Sequence, residues 1–188
     1  MYQRNYIYKV NKRILLIVAL IMFAFKMNAQ MMVIKSDILR DVATMPNIHL
    51  DFVVGEKHSL GVGGAYCYRM WGKNIEIASF TPNFRYWFNG RPFTRQYVGV
   101  KAQITQYDVT WKNKTYDGAS LSAGLIFGHV FNLSKRLNIE LEGGVNANLY
   151  TQKEYFKGDI YDDYGDRNNS RGVTMLPHVS VAISYIIK

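Results

Sequence analysis

For most of the chain, apolar and polar residues change places at every second position. The last segment shows it most cleanly. Val173, Met175, Pro177, Val179, Val181, Ile183, Tyr185 and Ile187 alternate with Thr174, Leu176, His178, Ser180, Ala182, Ser184 and Ile186. A strand sends such sets to opposite faces, whereas a helix scatters them round its circumference. The same period runs through Ile48 to Val54, Leu60 to Met70, Phe80 to Phe88, Val98 to Ile104, Leu121 to Phe131 and Leu137 to Leu149. Ile126, His129 and Val130 are misfits within the segment from Leu121 to Phe131. Met32 to Leu39 offers an eighth strand, and a single-chain bacterial barrel wants an even number.

The connections alternate too. Gly55 to His58, Asn89 to Pro92 and Asn132 to Arg136 have tight-turn chemistry. Asp108 to Gly118 and Thr151 to Gly172 are expected to be long links. Two shorter links, around Asp41 to Met45 and Gly72 to Asn74, share their end of the molecule. Short turns on the periplasmic side and longer loops outside are the asymmetry of outer-membrane barrels.

Alternation alone does not say which face is outside. The polar face is crowded with Gly61, Gly63, Ala65, Gly99, Ser120, Ser122, Gly124, Gly128, Gly144, Ser180 and Ser184, and carries few long charges. Small residues suit a narrow lumen filled by side chains. The other face carries branched aliphatics and aromatics, which suits lipid and its flanking aromatic girdles. Asp51, Arg69, Arg85, Lys101, Glu140 and Glu142 are then expected inside the barrel, joined by Lys35 and Asp37 if the first strand forms. Isolated buried charges are costly, so they should pair as a structural plug.

The first 29 residues read as an address. A basic stretch ends at Lys12-Arg13, and an apolar run from Ile14 to Phe25 follows, the length of a signal peptide's core and short for a spanning helix. Cleavage after Ala29 gives domains 1–29 and 30–188. The formal charge of the 188-residue chain is +9, but the leader holds five basic residues and no acid. The remainder has 18 basic against 14 acidic residues, spread along the chain, which gives no case for a nucleic-acid partner. A single cysteine, Cys67, excludes an internal disulfide framework.

Catalytic motifs are sparse. His49, His58, His129 and His178 lack metal-ligand spacing. The stretch from Gly158 to Asn169 is rich in Asp and Asn but does not follow an EF-hand order. Its Asp159, Tyr161, Asp162, Asp163, Tyr164 and Asp166 are candidates for extracellular contact with a surface protein or glycan. No cofactor and no metal site is expected.

Three stretches carry a resemblance: Pro46 to Leu60, Thr81-Pro82-Asn83-Phe84-Arg85-Tyr86-Trp87, and Leu133-Ser134-Lys135-Arg136-Leu137-Asn138-Ile139-Glu140. They resemble small outer-membrane β-barrel proteins of Bacteroidota, a domain-of-unknown-function family with P-x-x-R-Y-W and L-S-K-R-W-N motifs. Leu137 stands where the second motif has an aromatic. The resemblance implies an outer-membrane location and brings no catalytic residues.

The expectation is therefore an all-β, transmembrane antiparallel up-and-down barrel of about eight strands after a cleaved signal peptide. It would be non-enzymatic, in contact with outer-membrane lipid and lipopolysaccharide, with a structural or surface-interaction role through its outer loops. Two alternatives stay open: a barrel enzyme modifying lipid or lipopolysaccharide, and a soluble periplasmic barrel binding an apolar ligand.

Overall fold

The structure, a computed structural model, describes residues 31–156 and 169–187. The leader and the Asp159 to Asp166 stretch lie outside the described residues. Eight antiparallel strands follow one another up and down and close into a barrel. They are β1 (Met32–Asp37), β2 (Asn47–Gly55), β3 (His58–Cys67), β4 (Ile75–Trp87), β5 (Arg95–Trp111), β6 (Lys114–Asn132), β7 (Leu137–Phe156) and β8 (Asn169–Ile186). β1 closes the ring on β8, with Ile34 opposite Tyr185. β1 covers β8 only from Ala182 to Ile186, so among the described residues β8 from Asn169 to Val181 is strand-paired on its β7 side alone.

β1 is shorter than its pattern suggests. The Asp37 carboxylate accepts a 2.9 Å hydrogen bond from the Leu39 amide and caps a short helix, α1 (Ile38–Val42), so the strand stops at Asp37. The β4–β5 connection is no tight turn either. Seven residues, 88–94, lie between the strands, and Phe93 is buried at φ +61°. The β6–β7 turn does match its chemistry: Ser134 Oγ accepts from the amides of Arg136 and Leu137.

The expected long link at Asp108 to Gly118 is strand almost throughout. β5 and β6 continue through it in register, Asp108 opposite Asp117, and only Lys112 and Asn113 turn, at φ +49° and +65°. Those signs belong to the two-residue hairpin turn whose twist matches its strands. The outward face of this hairpin is polar, Asp108, Thr110, Thr115 and Asp117, while Val109, Trp111 and Tyr116 share the inward parity, so the apolar-out alternation seen lower down is reversed here. β7 and β8 likewise extend into the second expected loop, as far as Phe156 and from Asn169. Strands of 17 to 20 residues on β5–β8 thus rise well past the six to ten residues of β1–β3.

Parity sorts the side chains. The wall facing outward carries Phe80, Val100, Leu121, Leu125, Phe127, Val145, Val173, Met175 and Val179, with Leu125 at 67% and Met175 at 74% exposure. Inside, next to the end where β1 begins and β8 stops, Val33, Trp87, Phe93, Tyr97, Ile126 and Val130 pack into an apolar cork. Ile126 and Val130 break the pattern because the lumen itself is apolar there. His129 keeps outward parity and lies against Phe131, ring centroids 4.4 Å apart.

Candidate functional site

Above the cork, the lumen is filled by charge. Lys35 on β1, Asp51 on β2, Arg85 on β4, Lys101 on β5, and Glu140 and Glu142 on β7 are all buried. They form one network of three cations and three anions. Lys35 Nζ lies 2.7 Å from Asp51 and 3.3 Å from Glu140. Arg85 spreads its guanidinium over Asp51 at 3.0 Å, Glu140 at 3.2 Å and Glu142 at 2.7 Å. Lys101 reaches Glu142 at 2.8 Å. The planar fork of arginine suits this bridging, since it donates in several directions at once.

Two side chains that parity alone did not single out complete the network. The Tyr97 hydroxyl stands 2.7 Å from both Glu140 and Glu142. His178 Nε2 stands 2.9 Å from Glu142 and from Lys101. Tyr97 is aromatic at a position where the pattern asks for a polar residue, and its hydroxyl is the feature that reconciles the two. Gly61 leaves room for Asp51, whose carboxylate lies where a Cβ would be, and Gly128 does the same for the Tyr97 ring.

Arg69 does not join them. β3 ends at Cys67, so Arg69 is exposed, its guanidinium 5.4 Å from the Tyr68 ring. Asp37 faces inward but serves α1, and it lies 3.8 Å from Arg40. Arg40 reaches from α1 over the lumen toward Gln103 at 3.4 Å, a contribution that a residue in a link gives no period to reveal. The space left among the plug residues is about 10 Å³, roughly the room of a single water. Cork and plug therefore close the lumen in two layers. Among the described residues no group of His, Cys, Asp and Glu is arranged to hold a metal ion.

The far rim, above the apolar band of the outer wall, is chemically different. Lys114 and Glu154 face each other at 2.6 Å on the inner side of the long hairpins. The hydrogen bond from Lys114, and then that from Gln152, holds the Glu154 carboxyl below its usual range; the same bond raises the Lys114 ammonium. On the outer side, Glu76, Asp108 and Asp117 are lateral neighbours on β4, β5 and β6. Burial, with Asp117 and Glu76 alongside, pushes the Asp108 carboxyl up.

The fold and the filled lumen define an all-β protein of eight up-and-down strands around an ion-paired interior. Residues 15–187 match the model of the family DUF3575, described as a protein of unknown function, and the chain belongs to that family. No curated protein and no solved structure matches it.

Proposed function

We propose that the chain is an outer-membrane barrel of a Bacteroidota envelope, directed there by a signal peptide at residues 1–29. Its role is structural or surface-interacting, without a catalytic step. The observation that carries the reading is the inversion of its two faces: charges are shut inside while branched aliphatics and aromatics cover the outer wall. A soluble barrel gains stability from the opposite arrangement. On β8, seven outward positions from Val173 to Tyr185 are apolar or aromatic. Twelve steps along a strand tilted about 40° climb roughly 30 Å, near the thickness of a hydrocarbon layer. Strand pairing round the ring satisfies most of the backbone groups that lipid cannot, with the β1-facing edge of β8 above Ala182 as the exception.

The cork and plug favour a role at the surface over conduction of solutes. The tall β5–β8 hairpins, together with the 157–168 link, are the parts that would stand outside the membrane and meet a protein or glycan. Alkaline carbonate extraction of envelopes from cells expressing the full chain tests the location. Retention in the membrane pellet is expected; release with the soluble proteins would overturn it.

A further inference from the structure

β8 outruns the strand that closes the ring on it. β1 takes up its edge from Ala182 to Ile186, and from Asn169 to Val181 no described strand lies on that side. Leu176 shows the consequence: its parity is inward, yet it is 48% exposed. The backbone shows which groups are left over. The Ile186 amide donates to Arg136 on the β7 side, and the Ile187 amide donates to Met32 on the β1 side. β8 holds unbroken register with β7, so alternation turns the N–H and C=O of Arg171, Val173 and Met175 toward the open side. Pro177 belongs to the same set and has no N–H to give. Proline within a sheet is confined to such edges, and here it marks the lower end of the stretch that can pair.

Val173 and Met175 are strongly exposed on the outer wall and Arg171 is exposed just above them, so this stretch spans the step from apolar band to rim. Unpaired amides are costly there, because lipid tails supply neither donors nor acceptors. What matches a row of alternating N–H and C=O groups is another extended backbone. A glycan or an acyl chain carries no such repeat. A second copy does not fit either. Two barrels in one membrane share an orientation, and strands tilted about 40° would cross at about 80° where they meet. The occupant is therefore an extended segment of a different protein.

Its direction and chemistry follow from the same edge. Antiparallel addition continues the up-and-down order of the ring. β1 and α1 lie against β8 below, so the added strand must begin there and run toward the rim. The end that stops inside is its N-terminus. It needs apolar residues opposite Val173 and Met175, small or polar ones opposite Gly172 and Thr174, and a carboxylate opposite Arg171.

We propose that the free edge of β8 from Arg171 to Pro177 binds the N-terminal arm of a partner protein by β-strand addition. The inference rests on the surface-interaction reading above and deepens it by naming the site and the kind of partner. Arg171, Val173 and Met175 each give the ladder a donor and an acceptor, and Pro177 gives its carbonyl alone.

The test uses the full chain folded in detergent micelles and a synthetic peptide of valines alternating with threonines, with an aspartate near its C-terminal end. Binding is read by fluorescence anisotropy of a dye on that end, relative to empty micelles. A second peptide has the same side chains but is N-methylated wherever its amides would face β8. The first should bind at least about fivefold more tightly, the worth of one hydrogen bond or more. Met175→Pro should weaken binding by a similar factor, because it removes an N–H that faces the open edge. Arg171→Glu should weaken it too, and a peptide with lysine in place of the aspartate should recover that loss. Heat-modifiable mobility checks that both variants fold. Equal binding of the two peptides, or no binding by folded parent chain, would overturn the proposal and leave the membrane reading standing. So would a parent chain that is dimeric in micelles and monomeric as Met175→Pro, because the edge would then belong to a second copy. A chain that folds and stays monomeric without detergent would overturn the membrane reading itself.

Discussion

Arg85 and Tyr97 are stacked, the guanidinium carbon 4.7 Å from the ring centroid, and both bind Glu140 and Glu142. The phenol thus joins the apolar cork to the ionic plug. Its ring packs on Trp87 at 4.7 Å between centroids, while its hydroxyl belongs to the carboxylates.

Removing the arginine separates these two roles. Arg85→Met leaves Asp51, Glu140 and Glu142 with only the two lysines, and should destabilise the barrel by about 3–5 kcal/mol, the usual cost of breaking a buried pair. Tyr97→Phe keeps the ring and should cost about 1.5–3 kcal/mol, through its hydrogen bonds to charged groups. Urea unfolding of vesicle-inserted protein measures both. A smaller loss for Arg85→Met than for Tyr97→Phe would contradict the view that the arginine organises the plug.

The outer wall gives a sharper contrast. Leu125 is 67% exposed, so in a water-facing wall Leu125→Arg would cost almost nothing. Facing lipid near mid-height, it should cost about 2–4 kcal/mol. Glu56→Lys, in the exposed β2–β3 turn, should stay within about 0.5 kcal/mol. Unfolding titrations in the same vesicles decide between the two, and equal tolerance at both positions would remove the lipid-facing assignment.

Two closures in series predict silence in a conductance experiment. Phe93→Ala should lose about 3–5 kcal/mol by opening a cavity in the cork. It should still give no channels in a planar bilayer, because none of the ion pairs of the plug involves Phe93. Steady conductance from the parent chain would show that the two layers do not seal.

The rim should respond to pH through Lys114 and Glu154. The Glu154 carboxyl titrates low in the folded protein, so its contribution is complete above the ordinary glutamate range and is lost as pH falls through the depressed value. Lys114 is raised, so its contribution is complete below the ordinary lysine range and fades as pH rises through the raised value. Amide-exchange protection of the strand ends flanking Lys112-Asn113, corrected for intrinsic rates, should therefore fall in strong acid. Lys114→Met should remove that fall. Its persistence in the variant would assign the acid response elsewhere.

Strand parity was legible because a single-residue slip exchanges the two faces entirely. It placed Asp51, Arg85, Lys101, Glu140 and Glu142 on inner positions without knowledge of any contact. It failed where the faces lose their contrast. Ile126 and Val130 are apolar on both counts because the lumen changes from polar to apolar near its closed end. The hairpin from Asp108 to Gly118 is polar outside and carries Val109, Trp111 and Tyr116 on its inward parity, the reverse of the strands below, so it resembled a loop. Arg69 sat in apparent phase, but phase means nothing past the last paired residue, Cys67. Arg40 and Phe93 act from connections, where position follows from capping and tucking and no period applies.

Folding the purified chain into lipid vesicles, and comparing its gel mobility before and after boiling, tests the central claim most directly. The account predicts a compact, faster-migrating band in unboiled samples that forms with lipid or detergent and is absent in buffer alone. A chain that reaches the same compact state in plain buffer and remains monomeric there would show that its apolar wall does not face lipid.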